Sequence, residues 1–271
     1  MRITNWCRKL SATLLAAGIW VPSVSYAATN IPLGDPSFED YVVPAFPAGD
    51  GFAYAQPIYG YTGAYRPPTT GTPSAWIDDP DSPPGYTQDD GDSNWLYSSA
   101  YAESGSGARK RAAPRTGDQA MHGLFNYSGQ EAGAVFEANH TYTFSAWAQG
   151  DDDASDASSR VFLYVYDGSV PFSEANSLTF QRFGVDTGDF ANRALGMTAA
   201  QSQANWTQIS LSHYVAAGAP EIGSPVGVAF WIGDDGAVDD ATLSVVPEPG
   251  TIILVGVGLG GVALIGCRRR K

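Results

Sequence analysis

Thr141 to Gln149 read TYTFSAWAQ, and this alternation constrains the fold more than any other feature of the chain. Tyr142, Phe144, Ala146 and Ala148 share one face, while Thr143, Ser145, Trp147 and Gln149 share the other, the period-2 pattern of a strand. RVFLYVYD (160–167) is apolar in both phases and reads as a strand buried on both sides. SLTFQRFGV, NWTQISLSHYV, GVAFWIG and VDDATLSVV follow, each bounded by Gly, Asp, Asn or Pro. With GDPSFEDYVV, NWLYSS and QAMHGLF they make about nine or ten short strands. The single candidate helix lies around NRALGMTAAQSQ (192–203), before the strand at Trp206. Short strands, Gly- and Pro-rich turns and no long amphipathic helix predict an all-β, antiparallel two-sheet sandwich or barrel.

The two ends follow other rules. Residues 1–27 have a positive start (Arg2, Arg8, Lys9), an apolar run from Leu10 to Val21, and Ser25-Tyr26-Ala27 at its close. This is the pattern of a secretory signal peptide cut by signal peptidase after Ala27. Residues 28–246 are then one β-sandwich domain, large enough to bury a core without staples. The only cysteines, Cys7 and Cys267, lie in the end segments, so the domain has no disulfide and no thiolate chemistry.

Trimming sharpens the charge. The full chain carries 28 acids and 15 bases. Seven of the bases and one acid lie in the ends, so residues 28–246 hold 27 acids against 8 bases. A domain so acidic repels nucleic acid and anionic lipid, and neither is an expected partner. Four of the eight bases cluster in the loop at 104–118, read as a solvated loop. The stretch from Pro44 to Gly91, rich in Pro, Gly, Tyr and Asp, reads as loops with short edge strands.

The chain closes on VPEPGTIILVGVGLGGVALIGCRRRK. Thr251 to Gly266 are 16 apolar residues, about 24 Å of helix against a hydrocarbon core of about 30 Å. The basic residues hold the end on the cytoplasmic side and leave Pro247-Glu248-Pro249 outside. A Pro-Glu-Pro motif, an apolar helix (251–266) and a basic tail (Arg268, Arg269, Arg270, Lys271) closely resemble the PEP-CTERM sorting signal of exopolysaccharide-producing Gram-negative bacteria. The resemblance implies export, a transient single transmembrane helix in the inner membrane, and cutting near the motif by an exosortase. The destination expected is the cell surface or extracellular matrix.

The domain between has a second resemblance. GDPSFED, YTFSAWAQGD, NWTQISLSHYV and VDDATLSV, in that order, look like a galactose-binding-like jelly roll, the sandwich of many carbohydrate-binding modules. That resemblance implies that the first and last strands lie together and share a structural calcium site, at Glu39 and Asp240 here. Carboxylates from distant strands suit an ion that takes six to eight oxygens. GDDDASDAS begins like an EF-hand loop, but it lacks the glycine at the sixth place and has Phe162 at the twelfth.

Sugar modules stack pyranose faces on aromatic rings. Of the domain's five tryptophans, Trp147 falls out of phase with Tyr142, Phe144 and Ala148, and Trp231 partly out of phase with its apolar neighbours. These two are the candidate sugar platforms, with burial in the core as the competing reading of each. No catalytic set is legible. His122, His140 and His213 are scattered without zinc spacing, and nucleophile-elbow, phosphate-loop and dinucleotide motifs are absent. The expectation is a non-catalytic, exported surface or matrix protein that contacts polysaccharide and needs no cofactor beyond structural calcium. The alternatives are a secreted glycan-active enzyme and a purely structural biofilm or adhesion protein.

Overall fold

In the computed structural model, the residues described are 26–34, 36–39, 41–42, 70–71, 77–78, 94–98, 103, 110–123, 126–151, 159–170, 172–233 and 236–248. Ala28–Glu248 form one compact unit. Its strands are β1 (Thr29–Ile31), β2 (Tyr41–Val42), β3 (Thr70–Gly71), β4 (Ile77–Asp78), β5 (Asn94–Ser98), β6 (Gln119–Gly123) and β7 (Asn126–Val135). They continue as β8 (His140–Gly150), β9 (Arg160–Asp167), β10 (Ser177–Gly184), β11 (Thr207–Val215), β12 (Pro225–Gly233) and β13 (Gly236–Pro247). A short α-helix, α1 (Ala199–Gln203), is opened by a Thr198–Gln201 capping box.

Two antiparallel sheets face each other, as the alternation predicts. One runs β11-β8-β13-β6-β5, with β1 also on β13; the other runs β10-β9-β12-β7-β4. Between them the inward phase of β8 (Tyr142, Phe144, Ala146, Ala148) meets the aliphatic phase of β9 and the Val228–Phe230–Ile232 row of β12. Phe144 and Phe230 meet at 5.1 Å between ring centres. Each fully buried ring of this kind contributes about 1.5–3 kcal/mol.

The first and last strands do lie together. β1 pairs with β13, Thr29 opposite Val245, and β13 is central, flanked by β8 and β6. Residues 36–39 of the GDPSFED segment form a turn rather than a strand, with Phe38 fully buried at a φ of 60°. β1 and β7 are additions to the sequence reading. β7 escaped it because glycines and polar residues interrupt its alternation, NYSGQEAGAV.

The sheet carrying β8 is covered on part of its outer side, at the end where Gln149 and Trp206 lie, while the outward residues of β11 stay open to solvent. Gln149 there is fully buried, bonded through Nε2 to the Ser202 carbonyl at 3.1 Å and accepting from the Ser202 hydroxyl at 2.5 Å. Trp206 donates from its indole N–H to the Ala113 carbonyl at 2.9 Å. The segment 110–116 and the stretch around α1 therefore form a lid of chain on that end of the face, which alternation alone does not foresee.

Candidate functional site

The outer face of the other sheet is built from one phase of four strands. β9 divides its residues by size: Val161, Leu163 and Val165 enter the core, while Phe162, Tyr164 and Tyr166 point the other way. Opposite Phe162 on β12 stands Trp231, opposite Tyr164 stands Ala229, and opposite Tyr166 stands Gly227. β7 adds Tyr127 beside Trp231, and β10 adds Phe180 beside Tyr164 and Arg182 beside Phe162. Large rings on β9 thus face small residues on β12.

The small residues let the rings lie down. A methyl group on Gly233 would come 2.3 Å from Cη2 and 2.6 Å from Cζ3 of Trp231, so the indole lies back across Gly233. A methyl on Gly227 would meet the Tyr166 ring at 2.3–2.5 Å. Phe162 stands nearly perpendicular to Trp231, centres 5.1 Å apart. Phe180 runs nearly parallel to Tyr164 at 5.6 Å.

Phe172 divides this face. It packs on Tyr127, Tyr164 and Tyr166 at 5.3, 5.1 and 5.0 Å. Tyr164 and Tyr166 are buried as a result, and burial pushes the Tyr164 phenol up to about 12. Tyr166 is raised further by burial and the Glu131 charge. Tyr127 is raised by burial and by its 2.5 Å bond to Glu174. On the other side of Phe172, Trp231 and Phe162 are half-buried and Phe180 is 60% exposed. That half presents aromatic surface to solvent.

The second candidate cluster lies at a bulge in β13. The register to β8 slips between Asp239 and Thr242, and Asp240 takes the left-handed conformation at a φ of 47°. The extra residue returns Ala241 and Leu243 to the core while aiming Asp239 and Asp240 at the turn 115–118. Asp239 is fully buried. One of its oxygens accepts the backbone N–H groups of Arg115 (2.8 Å) and Thr116 (3.2 Å), and the other that of Asp240 (2.7 Å). Burial, with the Asp240 charge beside it, still pushes the Asp239 carboxyl up to about 8.

Asp240 pairs with the Arg115 guanidinium and accepts the Thr116 hydroxyl at 2.7 Å. Glu39 reaches the same turn from the other end of the sequence, accepting the N–H groups of Asp118 and Gln119 at 2.9 and 2.8 Å. Gly117 is required there twice: its φ is +57°, and a methyl on it would fall 2.2 Å from the Glu39 carboxylate. Glu39 and Asp240 are therefore gathered around one turn, as their candidacy for calcium needs. Both oxygens of Asp240 already accept a protein donor, one from Arg115 and the other from Thr116, so an ion there would meet the repulsion of the paired guanidinium. Among the described residues no group of three or more His, Cys, Asp or Glu is arranged to hold a metal.

Arg115 also governs Trp147. Its guanidinium carbon lies 3.8 Å from the Trp147 ring centre, and the indole packs against the buried group of Ala112, Ala120, Trp206 and Ala237. The two tryptophans singled out by phase thus have opposite surroundings. Trp147 is stacked under a cation on the covered sheet; Trp231 lies along the uncrowded half of the aromatic face. Phe162, Phe180 and Arg115 were not foreseen as site residues. The size split within RVFLYVYD, aliphatics in one phase and aromatics in the other, was the signal that marks Phe162.

Of the sorting residues, Pro247 ends β13 opposite His140. Glu248 follows, its N–H donating to the Asn139 carbonyl at 2.8 Å. Pro249, the helix at 251–266 and Arg268–Arg270 lie outside the described residues, as does the signal segment up to residue 25.

The family profile described as the PEP-CTERM protein-sorting motif matches residues 245–271. No curated protein matches the chain. Among solved structures, a cyclase from Fischerella sp. TAU, in complex with 4-(1H-indol-3-yl)butan-2-one, is 14% identical. That likeness covers 82% of this chain and 99% of the cyclase, with a TM-score of 0.50. The tandem CBM22 domain of Xyn10C from Paenibacillus barcinonensis is 12% identical over 84% of this chain and 50% of that one, TM-score 0.39. The CBM6 domain of the marine laminarinase LamC from Zobellia galactanivorans is 8% identical over 56% and 98%, TM-score 0.27. At these identities the likeness is one of fold alone. The chain is thus a two-sheet antiparallel β-sandwich that carries a PEP-CTERM sorting motif at its C-terminal end.

Proposed function

We propose that this exported, exosortase-sorted protein is a non-catalytic polysaccharide-contacting domain whose platform is the open half of the aromatic face. The carrying observation is the Trp231 indole laid across Gly233, with Phe162 at right angles to it and Phe180 60% exposed beside Phe162. A flat, half-buried indole offers the open part of its π-face to the axial C–H groups of a pyranose ring. The upright Phe162 limits the ring's lateral position, and Arg182 at the rim, ion-paired with Asp186, has its remaining N–H groups as donors for hydroxyl groups. Trp147 has a different role, as the base on which Arg115 is held.

The working location is the surface or matrix of a Gram-negative cell, reached through the inner membrane, with signal peptidase and an exosortase as partners in transit. Calcium, where it binds, competes with Arg115 for Asp240 and closes the junction of Glu39 with β13. The test is affinity electrophoresis of the exported protein through gels containing soluble polysaccharides. Retardation lost in Trp231→Ala and kept in Trp147→Ala supports the reading. Retardation equal in all three proteins, or absent from the unmodified one across the panel, removes the platform.

A further inference from the structure

The sorting motif does not begin on free chain. β13 runs through Val245 and Val246 to Pro247, with Thr141 opposite Val246 and His140 opposite Pro247. Glu248 continues the line: its N–H is held by the Asn139 carbonyl at 2.8 Å, and its carboxylate accepts the Thr141 hydroxyl at 2.6 Å. Asn139 holds its carbonyl there by a left-handed φ of 59° and by donating its own N–H to Val215 at 2.7 Å.

Pro247 fits this ladder for a simple reason. N–H groups alternate sides along a strand, and that of Glu248 points to β8, so the missing N–H of Pro247 falls on the opposite side. That side is the one where β1 has stopped, its last pairing being Thr29 with Val245. Upstream, β13 is paired to β8 and β6 or β1, so only its final residues can leave without opening the sheet.

We infer that the first two residues of the sorting motif alternate between a docked state on β8 and a peeled state, and that only the peeled state is cut. An enzyme that cleaves and transfers a peptide bond must bind the backbone on both sides of it in its own cleft. Here the Glu248 amide and carboxylate are committed to Asn139 and Thr141. Thr141 and Asn139 are thus positioning residues for sorting, and the folded sandwich sets the rate at which its own tail is removed.

The test uses the full chain in an exosortase-competent host, following conversion of tail-bearing to tail-free protein by pulse-chase. Thr141→Val deletes the hydroxyl and keeps a β-branched strand residue; loss of one exposed hydrogen bond raises the peeled fraction, and the processing rate, about three- to fivefold. A second variant inserts Gly-Ser-Gly-Ser between Val246 and Pro247, moving the motif off β8 while leaving the rest of β13 in place. It is processed at least as fast as Thr141→Val. Replacing Pro247-Glu248-Pro249 by alanines stops processing and shows that the assay reads the motif. Rates in the first two variants that equal or fall below the unmodified rate, with melting temperatures unchanged, overturn the inference: the enzyme then reads the docked motif, or a later step limits.

Discussion

The Arg115 guanidinium lies 3.8 Å over the Trp147 ring while it is paired with Asp240. One side chain therefore joins an aromatic on β8 to the carboxylate at the β13 bulge. It ties both to a turn that also holds Glu39. The cation is half-covered rather than free in water, which makes its contact with the indole worth about 0.5–2 kcal/mol.

Trp147→Ala removes that base and uncovers the group of Ala112, Ala120 and Trp206. We expect a loss of about 2–4 kcal/mol in unfolding free energy, read as a lower denaturant midpoint, with polysaccharide retention kept. A midpoint within error of the unmodified protein would contradict a structural role for Trp147.

Gly233→Val acts on Trp231 without touching it. The added side chain occupies the space over which the indole lies, so the ring must rotate away. Retention should fall as far as in Trp231→Ala, while far-ultraviolet circular dichroism keeps its β signature. Retention unchanged in Gly233→Val would mean that the flat placement is irrelevant to binding.

Calcium is tested at Arg115. If the ion and the guanidinium compete for Asp240, calcium raises the melting temperature more in Arg115→Ala than in the unmodified protein, since a ligand bound only to the folded state stabilises it. Chelator-insensitive melting in both proteins removes calcium from Glu39 and Asp240.

Alkaline pH probes the closed half of the aromatic face. Tyr164 is raised to about 12, and Tyr127 and Tyr166 are raised as well, all chiefly by burial. A folded-state value above the ordinary phenol value near 10 means the folded state holds the proton more tightly. This stabilising contribution is complete below pH 10; that of Tyr164 is lost as pH rises through about 12, and those of Tyr127 and Tyr166 at higher pH still. Phenolate absorbance should show these tyrosines ionising late and together with unfolding. Their titration near pH 10 in the folded protein would contradict the packing under Phe172.

Much of the sandwich was legible because alternation reports burial directly: the inward rows of β8 and β13 follow from Tyr142 to Ala148 and from Ala241 to Val245. β7 was hidden because a strand that packs under rings needs glycine, and Gly129 lies where Phe172 and Ala229 approach. The meeting of Glu39 and the β13 bulge at one turn was legible only as a resemblance. Its partner, Arg115, lies in a loop whose charges look solvated in sequence, since nothing local encodes a cation stacking 32 residues away on Trp147. The choice between Trp147 and Trp231 was equally closed to phase, because both point outward; what differs is the chain that covers one sheet and the glycine beneath the other ring.

Trp231 and its neighbours are proposed to hold polysaccharide. The most direct measurement is the dissociation constant for a retained soluble polysaccharide, by isothermal titration, in the unmodified protein, Trp231→Ala and Phe180→Ala. Binding should be lost in Trp231→Ala and weakened in Phe180→Ala, with melting temperatures close to that of the unmodified protein. Equal constants in all three would contradict it.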